Sequence, residues 1–173
     1  MPKRAVVAFP RIERGQEWDE ILSVRNRFDP LAGKIEPHLT LVFPFEDNLS
    51  DVALEQHLRK ATIALARFPV TLGEITAHEN EYLFLNVKHG NDALVQLHDV
   101  LYTGGLARHR VRMHTFVPHM TVGRVLPQDL PAALAATAAL TSPVHAHVDA
   151  ITAYQIEPDG IRSILFELPL PAA

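Results

Sequence analysis

Apolar residues recur along the chain with two different spacings, which predict both strands and helices. Apolar runs or alternating apolar positions predict strands at about 4–9, 37–44, 68–77, 82–87, 118–122 and 161–168, and a further strand that opens at Pro143-Val144. Apolar residues three or four positions apart predict helices at about 13–27, 51–67, 91–102 and 128–140. This mixture of elements indicates an α+β protein.

Residues with special backbone preferences mark the ends of these elements. Asp29-Pro30 ends the first predicted helix, because the residue before a proline is pushed out of the helical region. Ser50 and Asp51 are suitable caps for the second helix, and Asn91 or Asp92 for the third. Two turns and one helix end are also predicted, at Glu79-Asn80-Glu81, Pro158-Asp159-Gly160 and Gly104-Gly105.

A five-residue pattern of Pro, His, aliphatic, Thr and aliphatic occurs twice, at 37–41 and 118–122. Because side chains alternate along a strand, His38 and Thr40 share one face, and so do His119 and Thr121 in the second copy. The opposite faces carry Leu39, Leu41 and Phe43 in the first copy and Met120 and Val122 in the second. One His-x-Thr is a weak signal, but two copies with matching flanks are hard to ascribe to chance.

The order of elements repeats around the two motifs, which predicts two similar halves at about 1–78 and 79–173. Each half runs strand, helix, His-x-Thr strand, helix and a strand that opens with Pro-Val. No linker-like stretch separates the halves, so we predict one domain over 1–173. The predicted fold is α+β and bilobal, with two pseudo-symmetric lobes of antiparallel sheet, helices on the outside and a central groove that carries both motifs.

Two histidines across a groove form a natural general acid–base pair near neutral pH, because imidazole titrates at roughly pH 6.5. For a phosphoester, either His38 or His119 would take a proton from the attacking water, and the other would protonate the departing oxygen. Thr40 and Thr121 would hold the non-bridging oxygens of the phosphate. This chemistry requires no metal.

The paired motifs, His38/Thr40 and His119/Thr121, resemble the signature of the 2H phosphoesterases. This LigT-like family includes RNA 2',3'-cyclic phosphodiesterases and 2'-5' RNA ligases, and the resemblance covers nearly the whole chain. It implies a hydrolase that opens cyclic phosphates, commonly to a 2'-phosphate, with 2'-5' linkage chemistry in some members. The implied substrate is an RNA 2',3'-cyclic phosphate end or a small cyclic nucleotide, and no cofactor is implied.

The composition is compatible with this predicted fold and function, and it excludes several other kinds of site. The chain has 173 residues, 47% of them hydrophobic and 21% charged, as in ordinary soluble globular proteins. A net charge of −4 argues against broad non-specific binding of nucleic acid. There is no cysteine, which excludes disulfides, thiolate nucleophiles and thiolate metal sites. We expect a cytoplasmic, monomeric protein that does not associate with a membrane.

Arginines near the second motif have two interpretations. Arg124 resembles the arginine found after this motif in RNA cyclic phosphodiesterases, which implies contact with substrate. Strict alternation places it opposite His119 unless the strand bends or ends at Gly123, so pairing with a carboxylate stays open. The basic residues upstream of the motif predict either a phosphate-contacting loop or a solvated stretch, and they are Arg108, Arg110 and Arg112.

Aromatic residues on one predicted strand are candidates for nucleobase stacking. Tyr82 and Phe84 share a face with Asn86, opposite Leu83, Leu85 and Val87. A base could stack on Tyr82 or Phe84, and ordinary aromatic packing is the alternative. Tyr154 has the same two interpretations.

Most other histidines are interpreted as surface or satisfied side chains, although His114 lies close to the second motif. His145 and His147 share a strand face, but no further ligand stands at a suitable spacing, so no metal site is predicted.

Three other activities stay open. The groove could bind a nucleotide or an RNA end without turnover, although binding alone does not need two titrating groups. The same groove could carry out 2'-5' ligation or 2'-5' phosphodiester cleavage. A metal hydrolase that uses the histidine-rich composition would be distinguished by its loss of activity in a chelator.

Overall fold

A computed structural model describes residues 1–111 and 115–172, and it has the predicted mixture of strands and helices. The strands are β1 (Lys3–Ala8), β2 (Arg11–Ile12), β3 (Leu39–Glu46), β4 (Phe68–His78), β5 (Tyr82–His89), β6 (His119–Arg124), β7 (Val144–Val148), β8 (Ala150–Ile156) and β9 (Arg162–Pro169). The helices are α1 (Gln16–Phe28), α2 (Asp51–Thr62), α3 (Asn91–Leu101) and α4 (Leu130–Thr137), with a short 3-10 helix at Gly104–His109.

One curled antiparallel sheet of nine strands organises the molecule, in the order β2-β7-β4-β5-β6-β3-β1-β8-β9. The two motif strands, β3 and β6, are neighbours at its centre, where Leu39 pairs with Met120. On either side of this junction lie two lobes, one built from β6, β5, β4, β7 and β2 and the other from β3, β1, β8 and β9. The predicted α+β class with antiparallel sheet is confirmed.

The apolar face of the motif strands lies in the main core. Leu39, Leu41, Met120 and Val122 are each at most 2% exposed. Helix α1 packs against β6, and α3 packs against β3 and α2. The helices therefore cover the apolar face of the sheet, and the His and Thr side chains are left on the other face.

The lobes do not coincide with the predicted halves 1–78 and 79–173. β4 and β5 form a hairpin across that boundary, with positive φ angles at Glu79 and Asn80 in its turn. The two Pro-Val strands, β4 and β7, pair with each other, while β8 and β9 join β1 in the other lobe. Each lobe thus contains strands from both ends of the chain.

Several element ends differ from the sequence-based expectations. β3 continues through Pro44 to Glu46, and α2 ends at Thr62. Ser50 caps α2 as expected, since its side chain accepts a hydrogen bond from the amide of Ala53 at 3.2 Å. The cap residue of α3 is Gly90, at φ 91°, rather than Asn91 or Asp92. Among the described residues, no helix combines the length and apolarity that a bilayer crossing requires.

Candidate active site

A cleft of about 1270 Å³ opens on the polar face of β4, β5 and β6. Its walls include His119 and Thr121 from β6, Thr40 from β3, and Tyr82 and Phe84 from β5. Helix α3 also lines the cleft, together with Val111 and residues 115–117. Four of the predicted motif and aromatic side chains from β5 and β6 therefore meet Thr40 in one cavity.

The pairing of β3 with β6 decides how the two motifs face each other. Because Leu39 lies opposite Met120 in an antiparallel pair, extending the register by one residue puts His38 beside Thr121 and Thr40 beside His119. The two histidines are then diagonal neighbours, a relation that separates residues by roughly 7–8 Å. Both motifs therefore meet at the junction of the lobes, where Leu39 pairs with Met120.

His38 does not belong to the wall of the large cleft. It lies in the other lobe and is half-buried between Phe9 and Tyr154, whose ring centroids are 5.9 and 6.4 Å from its own. Both neighbours contact it edge-on. His119 lines the cleft directly, so the two motifs differ in their access to this cavity.

Both motif histidines make the same hydrogen bond. Nδ1 of His38 is 2.8 Å from the carbonyl oxygen of Glu36, and Nδ1 of His119 is 2.7 Å from that of Val117. A carbonyl oxygen can only accept, so Nδ1 carries the proton and Nε2 of each neutral ring carries the lone pair. The proline in each motif explains the match, because a residue before proline is held in an extended conformation.

Burial lowers the pKa of both imidazoles below the ordinary value of histidine. Around His38, desolvation dominates, the bond to Glu36 opposes it, Arg25 and Arg162 lower the pKa, and Asp29 raises it. For His119, desolvation again dominates, the bond to Val117 opposes it, and the charge of His78 lowers the pKa further. Both rings are therefore biased towards the neutral form that can accept a proton at Nε2.

A β-bulge in β6 settles the position of Arg124. Phe84 pairs with Thr121 but Leu83 pairs with Gly123, so Val122 is the extra residue and the alternation shifts. Arg124 therefore comes to the side of Tyr82, and its guanidinium carbon lies 5.2 Å from the centroid of that ring. Its Nε donates to Oε2 of Glu81 at 3.0 Å, so pairing with a carboxylate is the interpretation that the structure shows. Arg124 is not part of the cleft wall.

Phe84 is covered by histidines on both faces. Its ring is stacked on that of His119, with centroids 3.5 Å apart and planes inclined by 15°. On the other side, His78 is stacked at 4.7 Å and 20°. These contacts agree with aromatic packing, the alternative interpretation of Phe84, and both Phe84 and Tyr82 are half-buried in the wall of the cleft.

The prediction for Phe43 is wrong. β3 and β1 shift register between Arg4 and Val7, so Val42 is buried and Phe43 turns outward. Phe43 is 38% exposed and lines the cleft. Two-residue alternation does not survive a bulge, and the apolar composition of this strand gave no sign of one.

Residues of α3 complete the cleft, and the sequence did not single them out. The Nδ1 atom of His98 lies 2.8 Å from the carbonyl of Leu41, and its ring stacks on Phe116 at 3.9 Å. The hydroxyl of Tyr102 accepts a hydrogen bond from the amide of Phe43 at 2.9 Å. Apolar spacing predicted the helix that carries His98, but it could not reveal these partners from β3.

The basic stretch before the second motif is only partly at the site. Arg110 lines the cleft and pairs with Asp99 at 2.6 Å. Arg108 is exposed and lies outside the cleft wall, while Arg112 and His114 fall outside the described residues.

The remaining candidates lie away from the cleft. His145 and His147 share a face of β7, as predicted, and Nδ1 of His145 is 3.3 Å from the hydroxyl of Thr71. Within residues 1–111 and 115–172, no three histidine or carboxylate side chains are grouped so that they could hold a metal ion.

Comparisons with known proteins identify the family of this chain. The sequence model of the 2'-5' RNA ligase superfamily matches residues 10–160. A Geobacillus kaustophilus protein that is provisionally named a phosphoesterase is 31% identical over 128 residues, which cover 72% of this chain and 70% of that protein. A Bacillus licheniformis protein with the same kind of name is 36% identical over 136 residues, which cover 73% of each chain.

Solved structures show the same fold. The Escherichia coli LigT structure with 3'-AMP aligns with a TM-score of 0.68 at 19% identity and covers 98% of both chains. A crystal structure described as a phosphoesterase has a TM-score of 0.68 at 19% identity and covers 99% of both chains. The resemblance to LigT-like 2H phosphoesterases is confirmed, and the chain belongs to the 2'-5' RNA ligase superfamily.

Proposed function

We propose that the protein is a metal-independent phosphodiesterase that opens 2',3'-cyclic phosphates on RNA ends or small nucleotides. One observation carries the proposal. The pairing of Leu39 with Met120 joins the two His-x-Thr strands, and each imidazole has its Nδ1 committed to a backbone carbonyl. In the proposed site, the Nε2 atoms of both imidazoles and the hydroxyls of both threonines flank a single phosphate. Membership of the superfamily supports phosphoesterase chemistry.

The chemistry needs two proton transfers and no redox step. One Nε2 accepts a proton from water while the water oxygen bonds to phosphorus. The bond from phosphorus to one ribose oxygen breaks, and the other imidazole gives that oxygen a proton. Thr40 and Thr121 donate hydrogen bonds to the non-bridging oxygens and orient the phosphate. The products are a ribose hydroxyl and a phosphomonoester.

The cleft beside the motifs supports a nucleotide as the substrate. Its volume of about 1270 Å³ exceeds the roughly 300–1,000 Å³ usual for small-molecule sites. Tyr82 and Phe43 offer aromatic surface on which a base can stack. The similarly folded LigT is complexed with 3'-AMP in one structure and with ATP in another, which supports a nucleotide as the ligand.

A second activity is favoured by the superfamily itself, whose description names 2'-5' RNA ligation. Proton transfer between the same two imidazoles can also serve a ribose hydroxyl that attacks the cyclic phosphate in place of water. Cleavage of a 2'-5' linkage is the reverse of that reaction. We therefore regard 2'-5' linkage chemistry as the alternative for the same site.

The test is hydrolysis of 2',3'-cyclic AMP and of RNA with a cyclic phosphate end, both in the presence of a chelator. Wild type is expected to form a phosphomonoester, and H38A and H119A are each expected to lose activity by about 10²–10⁴. H145A is the matched control, because His145 is exposed and lies outside the cleft. Full activity in both motif variants would overturn the site, and loss of activity in chelator would overturn metal independence.

A further inference from the structure

The two motif histidines have different neighbours, although their sequences repeat. The ring of His119 lies parallel to Phe84, with centroids 3.5 Å apart and an angle of 15°. The face of an aromatic ring carries negative charge density, and it attracts a cation within about 6 Å of its centroid. This contact therefore favours the imidazolium form of His119, against burial and the charge of His78, which both lower its pKa.

His38 has no such face-to-face partner among the described residues. Phe9 meets its ring at 65° and Tyr154 at 81°, so both contacts are edge-on. The centroids of these rings also lie 5.9 and 6.4 Å away, compared with 3.5 Å for His119 and Phe84, so their attraction for an imidazolium is weaker.

Cations also stand on the His38 side. Arg25 is neutralised, because its Nε lies 3.0 Å from Asp29 and both side chains are buried. Among the described residues, Arg162 forms no ion pair with a carboxylate, and its buried Nε has no hydrogen-bond partner. Its Nη1 donates to the carbonyl of Gly160. The positive charge of Arg162 is therefore not compensated locally.

Strand register puts Arg162 on the sheet face that carries Tyr154. Arg162 pairs with Ile156, which lies two residues beyond Tyr154 on β8. The charge of Arg162 lowers the pKa of His38, although burial is the larger cause. Burial raises the pKa of Tyr154, and the charge and hydrogen bond of Arg162 oppose that rise. Arg162 thus belongs to the surroundings of His38, whereas Arg124 is held by Glu81.

We propose that His38 is the general base and His119 the general acid, and that Arg162 and Phe84 are the positioning residues that set these two roles. This inference rests on the proposed function. A guanidinium beside His38 disfavours a second positive charge, which keeps the ring ready to accept a proton. The face of Phe84 favours the protonated ring that a general acid needs.

The roles define a balanced step. Nε2 of His38 takes a proton from water as the water oxygen bonds to phosphorus, and the bond from phosphorus to the departing ribose oxygen breaks. Nε2 of His119 gives its proton to that oxygen. His38 ends charged and His119 neutral, and exchange of one proton with solvent at each ring restores the starting state.

A change of leaving group separates acid from base. Sulfur in place of the bridging 2'- or 3'-oxygen of the cyclic phosphate departs as a thiolate and needs no proton. On the normal substrate, H119A is expected to be about 10²–10⁴ less active than wild type. On one of these two cyclic phosphorothiolates, its activity is expected to come within about tenfold of wild type, while the activity of H38A stays low. Rescue of H38A instead, or of neither variant, overturns the assignment.

The role of the positioning residues is tested by following the ring protons of both histidines with pH by NMR in the free protein. His38 is expected to titrate at lower pH than His119. R162Q is expected to raise the titration midpoint of His38, and F84L to lower that of His119. R162K and F84Y preserve the charge and the ring, so they should stay near wild type, and R124Q should move neither histidine.

The ordering of the two midpoints does not depend on turnover. A reversed order, or midpoints unmoved in both R162Q and F84L, overturns the proposal even if cyclic phosphates are hydrolysed. If the midpoints shift as expected but the protein does not hydrolyse cyclic phosphates, the proposed function is rejected. The electrostatic difference between the two histidines is then still supported.

Discussion

The two His-x-Thr strands have the same local design and different neighbours. In both, a proline holds the preceding residue extended, and the carbonyl of that residue accepts a hydrogen bond from Nδ1 of the histidine. His119 then faces a large cleft and the ring of Phe84, while His38 lies among Phe9, Tyr154 and the charge of Arg162. The local sequence determines which nitrogen is free, and the rest of the fold determines the charge around it.

The largest expected effect comes from removing the feature that the two strands share. Each of H38N and H119N is expected to lower kcat/KM for a cyclic phosphate by about 10²–10⁴, measured by product formation in steady-state assays. Because acid and base act in one step, kcat/KM of the double variant should be little lower than that of the less active single variant. H145N is the control, and fully multiplicative losses would contradict joint action.

A second comparison of the two lobes comes from breaking the buried ion pair in the lobe of His38. Arg4 and Asp47 are fully buried, with Nη2 and Oδ1 2.6 Å apart. R4M removes the shortest ion pair of Asp47, leaving His109 at 3.4 Å and Arg108 at 4.0 Å, and is expected to lower the free energy of unfolding by about 3–5 kcal/mol, measured by urea denaturation. In the exposed pair of Arg11 with Asp149, R11Q should cost at most about 1 kcal/mol. Equal decreases in the free energy of unfolding of R4M and R11Q would show that burial does not determine how much an ion pair contributes to stability.

The threonines test whether the strands contribute equally to phosphate binding. T40V and T121V keep the side-chain shape and remove the hydroxyl that would bond a charged oxygen. Each is expected to reduce kcat/KM roughly 10- to 100-fold, the range expected for a hydrogen bond to a charged group. Losses below about twofold in either variant would remove that threonine from the proposed site.

The bulge that distinguishes β6 from a regular strand depends on Gly123. A Cβ there would lie 2.8 Å from Cδ1 of Leu83 and 3.0 Å from Cβ of Phe28. G123A is expected to lower the free energy of unfolding by about 1–3 kcal/mol through overpacking. G33A is the matched control, because nothing lies within 4 Å of its added Cβ. A neutral G123A would show that β6 can relax around the new methyl group.

The smallest expected effect is the dependence of the free energy of unfolding on pH. Burial lowers the folded-state pKa of both histidines, so the unfolded chain binds more protons than the folded one once the pH falls below the ordinary histidine value. The free energy of unfolding should therefore decrease between about pH 7.5 and 5.5, followed by urea denaturation. H38Q and H119Q should each flatten this dependence. A slope unchanged in both variants would place its origin in other groups.

Local patterns gave most of the elements. Apolar alternation predicted the buried Leu83, Leu85 and Val87, and Ser50 capped its helix as expected. The doubled motif predicted two strands with buried aliphatic faces, which Leu39 and Met120 confirm. These features depend on residues a few positions apart, and the sequence displays them directly.

Features that depend on distant partners could not be predicted. The bulges at Val122 and along β3 reversed the expected sides of Arg124 and Phe43, because register is set by neighbouring strands. The packing of His78 and His119 on Phe84 requires three strands to be placed together. Arg162 comes near His38 from the far end of the chain, and nothing local indicates it.

The most direct test of the central claim is a titration of the protein with adenosine 2'-monophosphate, followed through the ring proton signals of His38 and His119. If both imidazoles flank one phosphate, the two signals will shift together with a single dissociation constant, and the pKa of both rings will rise beside the added negative charge. If only the signal of His119 moves and that of His38 stays in place, the two motifs do not share a phosphate, and the account is contradicted.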